Sequence, residues 1–275
     1  MKKNKGTLCA YVFLIFCSTL TIFPMLFMLS LSLRTRESII QKGVFFLPEA
    51  LHWENYITAW NQGHFSTYFK NSIIISFISV IGVIIFSTCI SYALVFFKFK
   101  GRKIISNLLL IGLIIPFEVV IIPLYFNMKF VGLLGTRSPV YLTHIALNIA
   151  FSVFIMKGFI MDIPKSIIES ARTDGATEMI VLRKIVVPII IPALVSIVIL
   201  IFMWTWNDFM LSNLMLTNDK IKTLPLGLSS FQGKFTRDVP LTSAASTIMM
   251  VPVLIIYIVF QKYMIKGLTL GAVKE

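Results

Sequence analysis

The sequence predicts an all-α protein that crosses a membrane six times, and three observations carry that reading. Of its 275 residues, 57% are hydrophobic and 13% charged, whereas soluble domains run near 45–50% apolar and about 25% charged. The mean hydropathy is +0.88, so lipid has to solvate the excess apolar surface. The apolar residues also fall into six runs, each near the roughly 20 residues a helix needs to cross about 30 Å of hydrocarbon. Such spans leave only short connections, so a single transmembrane domain over residues 1–275 is the expectation. Most soluble enzyme classes are excluded. A nucleic-acid partner is excluded as well, because no basic face is interleaved with aromatics on a soluble segment.

The first run, Leu8–Leu33, follows Lys2, Lys3 and Lys5. A cleaved secretion signal also starts this way, but its apolar core is about 7–15 residues long, which favours an uncleaved first span here. Further runs follow at Asn71–Phe97, Ile104–Phe126, Ser138–Met156, Val186–Trp206 and Leu241–Phe260. Pro24, Pro116, Pro123 and Pro252 fall inside these runs, where neighbouring helices can satisfy the freed carbonyls. Cys9, Cys17 and Cys89 lie in apolar stretches without ligand spacing and read as small core hydrophobes.

Six spans put both termini on one side. Segments 1–7, 98–103, 157–185 and 261–275 carry 15 Lys and Arg over 57 residues, against 10 over 82 for 34–70, 127–137 and 207–240. The denser set is expected in the cytoplasm, so the net charge of +13 reads as topogenic and the protein as a multi-pass cell-membrane protein. On the outer side, 34–70 holds Trp53, Tyr56, Trp60, Phe65 and Tyr68. These aromatics suit the headgroup level of the bilayer, or else a surface that docks an outside protein.

The inner connection is the patterned one, reading KGFIMDIPKSIIESARTDGATEMIVLRKIVVPIIIP over 157–192. Pro164 suits the first turn of a helix. Ile167, Ile168 and Ala171 then form an apolar stripe. Asp174-Gly175 is a stop-and-turn signal, because Gly reaches the left-handed conformation without strain. A second helix restarts near Ala176 and runs toward Pro188 and Pro192. Glu169 is spaced to pair with Lys165 or Arg172. A helix lying on lipid headgroups would carry a strongly basic face. Residues 157–185 instead hold five positive and four negative charges, which suits a protein partner.

These residues resemble the EAA loop of binding-protein-dependent ABC importer permeases. Glu169-Ser170-Ala171, Asp174-Gly175-Ala176, Ile185 and Pro188 stand at that motif's spacing, with Ser170 for the first Ala and Val187 for the Leu before Pro188. Tyr68-Phe69-Lys70-Asn71-Ser72, Ile122-Pro123-Leu124-Tyr125, Trp206-Asn207-Asp208 and the tail from Gln261 to Lys274 are similar to the shorter, six-span carbohydrate permease of the maltose and glycerol-3-phosphate type.

The resemblance implies a type I ABC importer permease fold. It also implies a coupling helix over about 164–174, seated in a cleft of an ATPase subunit, and a second ATPase contact along the tail at Gly267, Gly271 and Lys274. The implied partners are a second permease, two ATPase subunits and an external solute-binding protein. ATP and Mg would belong to the ATPase, since this chain has no G-x-x-x-x-G-K-[ST] loop. No catalytic residue, metal site or bound cofactor is expected in the chain itself.

Glu118, inside the third run, is a candidate for the translocation path or outer gate, or for a structural hydrogen bond to a neighbouring span. Trp204, Asn207 and Asp208 are candidates for the path's exit, or for interfacial anchors. Leu228, Ser229, Ser230, Phe231, Gln232 and Gly233 correspond in position to a loop that probes the binding protein in related permeases. The alternatives are an importer permease for another solute, such as glycerol-3-phosphate, a polyamine or a peptide, and a channel without an ATPase. A membrane enzyme would need clustered polar residues within the spans, and only Glu118 and His144 qualify.

Overall fold

In a computed structural model, the backbone of residues 5–231 and 238–272 is described, with the side chains of 7–231 and 238–262. Among the described residues the structure is helical and contains no strand. In chain order the helices are α1 (Lys5–Ser32), α2 (Arg36–Lys42), α3 (Glu54–Gln62), α4 (Phe65–Phe96), α5 (Arg102–Ile114) and α6 (Phe117–Phe130). Then come α7 (Ser138–Met161), α8 (Lys165–Thr173), α9 (Glu178–Ile189), α10 (Ile191–Trp206), α11 (Met210–Met215) and α12 (Val239–Ala272).

Four helices, α1, α4, α7 and α12, are long and apolar enough to span a membrane. The pairs α5–α6 and α9–α10 bring the count to six only where each pair is taken as one span, and they are bent by 106° and 78°. Proline chemistry explains both breaks. Pro116 forces the residue before it out of the helical region, and Ile115 sits at φ −70°, ψ 118°. Pro188 cannot donate to the carbonyl of Lys184, and the chain takes a π turn over Leu182–Val186 just before it. Pro192 then opens α10 at a position where no amide is needed.

The chain divides into two compact units, 1–66 with 226–251 and 67–225 with 252–275. In the first, α1 exposes Leu8, Tyr11, Phe13, Leu14, Phe16 and Leu20 all round its axis. Its end is tied to the segment that follows. The Asn55 amide donates to the carbonyls of Ser32 and Arg34, each at 2.9 Å, and the Tyr56 and Ser32 hydroxyls lie 2.7 Å apart. Arg34 is 1% exposed, and its guanidinium donates to the carbonyls of Ser38, Gly43 and Phe46. That closes residues 34–46 into a loop satisfied from inside, as a buried cation requires.

The second unit has a core of Val83, Tyr92, Met156, Ile160, Ile163, Ile168, Val181, Leu182, Val186, Ile190, Ile197 and Ile201. Small residues let α4 and α7 approach closely: the Ser91 hydroxyl donates to the Val153 carbonyl at 3.3 Å, and the Ser87 and Thr88 hydroxyls lie 3.7 and 3.3 Å from Met156 Sδ. Gly82 is the tightest point, since a Cβ there would sit 2.4 Å from the Ile145 side chain.

Candidate functional site

The α7–α9 connection is built by local rules. Pro164, at φ −58° and ψ 127°, caps α8 without losing a needed donor. The helix ends in a Schellman motif on Gly175, whose φ is +84°. The Ala176 amide donates to the Ala171 carbonyl at 3.0 Å, and the Gly175 amide to the Arg172 carbonyl at 3.1 Å. Thr177, in extended backbone, then starts α9 at Glu178.

The resulting α8 has two faces. Ile168 is 1% exposed and sits in the core beside Tyr92, Met156 and Ile160, with Ala171 and Ala176 packed at its edge. Lys165, Ser166, Ile167, Glu169, Ser170, Asp174 and Gly175 are exposed. The expected stripe of Ile167, Ile168 and Ala171 is thus split, with Ile167 43% exposed. Neighbours on a helix lie about 100° apart, so only one of two adjacent isoleucines can face the core.

The ion pairing also differs from the helical spacing. Arg172 bonds Glu178 across the turn, Nε to Oε1 at 2.8 Å and Nη2 to Oε2 at 3.1 Å. The Tyr92 hydroxyl of α4 donates to the same carboxylate at 2.5 Å. Glu169 forms no ion pair among the described residues. Tyr92 and Glu178 were not legible as partners, because no motif links residues that far apart. A polar-tipped aromatic one turn from the end of an apolar run was the available signal. Ile185 lies in the π turn, half-buried, and Pro188 just beyond it is exposed.

The other candidates are dispersed. Glu118 stands in the first turn of α6, exposed, directly after the 106° bend. Trp204 is 45% exposed and packs edge-on against Phe151 at 5.0 Å. The Asn207 amide folds back onto the Met203 carbonyl at 2.9 Å.

Asp208 is enclosed. Its carboxylate accepts the amides of Leu211 and Ser212 at 3.2 and 2.9 Å and the Ser212 hydroxyl at 2.6 Å, capping α11. His144 Nε2 of α7 lies 3.7 Å away. Burial works to raise the Asp208 carboxyl, but His144 and the Ser212 donors outweigh it and hold the group below its ordinary range.

Among Leu228–Phe231, which form a short 3-10 turn, Ser229 and Ser230 are exposed. Phe231 is buried against Phe65, with ring centroids 6.3 Å apart. Gln232, Gly233 and Lys274 lie outside the described residues, as do the surroundings of Gly267 and Gly271. Asn71 acts where the sequence showed only a motif letter. Its amide donates to the carbonyls of Lys220 and Lys222 at 3.0 and 2.8 Å, and its oxygen accepts Arg137 Nε at 2.8 Å. The Ser72 hydroxyl accepts the Leu224 amide at 2.9 Å. Among the described residues no group of three His, Cys, Asp or Glu side chains forms a metal site.

The family described as "Binding-protein-dependent transport system inner membrane component" matches residues 86–269, which include the whole α8 region. The chain belongs to this family. It is a membrane-embedded permease subunit of an ABC importer.

An arabinooligosaccharides transport system permease protein of Halalkalibacterium halodurans is 33% identical over 280 residues, covering all of both chains. A diacetylchitobiose uptake system permease protein of Streptomyces coelicolor is 30% identical over 253 residues, covering 92% of each. In structure, the chain is similar to a bacterial ABC transporter involved in the import of the acidic polysaccharide alginate. That match has a TM-score of 0.81 and 25% identity, and it covers 94% of this chain and 95% of the other.

Proposed function

We propose that this chain is one half of the pore of an ATP-driven oligosaccharide importer, and that α8 is the handle by which a separate ATPase subunit drives it. The observation that carries the reading is the two-faced build of α8. One face is fastened into the membrane unit through Ile168, while the opposite face offers Lys165, Ile167, Glu169, Ser170 and Asp174 to a partner. Mixed charge on that face favours a protein over lipid. ATP closure of the ATPase dimer would move α8 and bias the spans between two arrangements, which is the two-state element that such coupling needs. In this reading the Lys- and Arg-rich connections and both termini face the cytoplasm. The partner ATPase binds and uses ATP and Mg, and the tail with Gly267, Gly271 and Lys274 provides a second contact.

The oligosaccharide class rests on the relatives named for arabinooligosaccharides and diacetylchitobiose. A second permease and an external binding protein complete the assembly. Glu118 and Trp204 have exposed side chains able to line the path, whereas the Asp208 carboxylate is occupied by α11. Ser229 and Ser230 remain the candidates for touching the binding protein, and deletion of 228–233 should impair sugar release to the pore while sparing assembly.

The test uses the importer expressed with its partners and an uptake panel of labelled arabinotriose, N,N′-diacetylchitobiose and maltotriose. Gly175→Arg and Glu169→Lys should abolish uptake and release the ATPase subunit while membrane insertion stays normal. Normal uptake and normal ATPase copurification in both variants would overturn the coupling role. Failure of every sugar in the panel would overturn the substrate class.

A further inference from the structure

The elbow at Gly175 sets a mechanical problem. A force applied to α8 reaches the spans only if the α8–α9 turn keeps its geometry, and at Gly175, at φ +84°, no heavy atom stands within 4 Å of where a Cβ would sit to brace the joint. We infer that Tyr92, Arg172 and Glu178 form a clamp across this elbow, positioning residues that make α8, α9 and the end of α4 move as one body. The inference rests on the coupling role proposed above for α8.

The geometry supports it at each contact. Arg172 is in the last turn of α8, Glu178 opens α9, and Tyr92 lies one turn before the end of α4. The guanidinium meets the carboxylate as a two-pronged fork, which fixes orientation as well as distance. The Tyr92 ring is 3% exposed and wedged edge-on against Phe97 at 5.6 Å, so its hydroxyl is aimed by packing. Glu178 Oε2 thus receives donors from two other helices at once.

The Arg172 and Glu178 side chains are 35% and 42% exposed, so their attraction is screened and adds little to folding stability. Register across a hinge is the role this arrangement suits. No residue of the clamp belongs to the exposed face offered to the ATPase, which separates transmission from docking.

The experiment uses the complete importer in proteoliposomes, with ATP hydrolysis stimulated by the binding protein as the coupling readout and ATPase copurification as the docking readout. R172E and E178R should each keep the ATPase subunit bound and lose stimulation about tenfold, within the range of known coupling effects. The swap R172E/E178R should recover stimulation to within about twofold of wild type, a non-additivity expected only of directly interacting groups. Y92F, which removes one hydroxyl and keeps the ring, should reduce stimulation less than either charge reversal. Full stimulation in both single variants, loss of the ATPase subunit from them, or a swap no better than the singles would overturn the clamp. If the singles keep full stimulation while E169K abolishes docking, the clamp alone fails. If E169K and G175R keep docking and uptake, the coupling role of α8 fails.

Discussion

Replacing Gly175 isolates the backbone contribution to the α8–α9 turn. At φ +84° an L side chain is strained, and a Cβ at this position would meet no heavy atom within 4 Å. Gly175→Ala therefore carries no steric clash, only the left-handed penalty of about 1–2 kcal/mol. Converted at about 1.4 kcal/mol per factor of ten, local opening becomes roughly 5–30-fold more frequent. The bonds that report it are the Ala176 amide to the Ala171 carbonyl and the Gly175 amide to the Arg172 carbonyl. Amide exchange of the peptide spanning 171–181, measured in nanodiscs, should accelerate by that factor, while exchange in α4 and α7 stays unchanged.

Gly175→Asn should cost less than Ala, because Asn tolerates the left-handed region. Gly158→Ala is the control. It lies inside α7 at an ordinary helical φ with no atom within 4 Å of a new Cβ, and should leave exchange in 171–181 at the wild-type rate. Wild-type exchange in Gly175→Ala, or an Asn variant as damaged as the Ala variant, would refute the Schellman account.

Four further outcomes follow from other positions. Ile168→Ala empties a buried site and should cost about 2–5 kcal/mol, seen as an earlier thermal transition in detergent. Ile167→Ala, on the exposed face, should stay within about 0.5 kcal/mol yet weaken ATPase copurification. Asn71→Ala removes three hydrogen bonds, one of them from a guanidinium, and should destabilise the 218–224 segment by about 3 kcal/mol, read as protease cleavage there. Asp208, held below its ordinary carboxyl range, contributes stability above the unfolded pKa near 3.8 that is lost as pH falls through the folded value. Protection factors at Leu211 and Ser212, taken relative to the intrinsic exchange rate at each pH, should therefore fall on acidification below about pH 4, and Asp208→Asn should flatten that acid limb.

Much of the fold was legible because apolar runs and turn residues encode it directly. Hydropathy located the four long apolar helices and the two bent pairs, and Pro164 with Asp174-Gly175 bounded α8 within a residue of its observed ends, Lys165 and Thr173. Direction was not legible, since a hydropathy run carries no information about bending. Pro116 and the Pro188–Pro192 pair were visible as prolines, but the 106° and 78° bends come from how the chain continues past them.

Partner choice failed for a related reason. Helical spacing offered Glu169 to Arg172, but the turn at Gly175 brings Glu178 within 2.8 Å and the competing pair forms instead. Asn71 was readable as part of a motif and not as an anchor for residues 220 and 222, because that contact depends on tertiary closure. Asp208 read as a path residue from its place after an apolar run, while its bonds to Leu211 and Ser212 arise from the short α11 that follows.

The most direct test asks what touches the outer face of α8 in cells. A photo-crosslinking amino acid at Ser170, exposed and away from the core, would be activated in intact membranes and the adducts identified by mass. The account predicts one dominant adduct, between this chain and an ATPase subunit, that disappears when Gly175→Arg is added. Adducts only with lipid, or only within the chain's own helices, would contradict it.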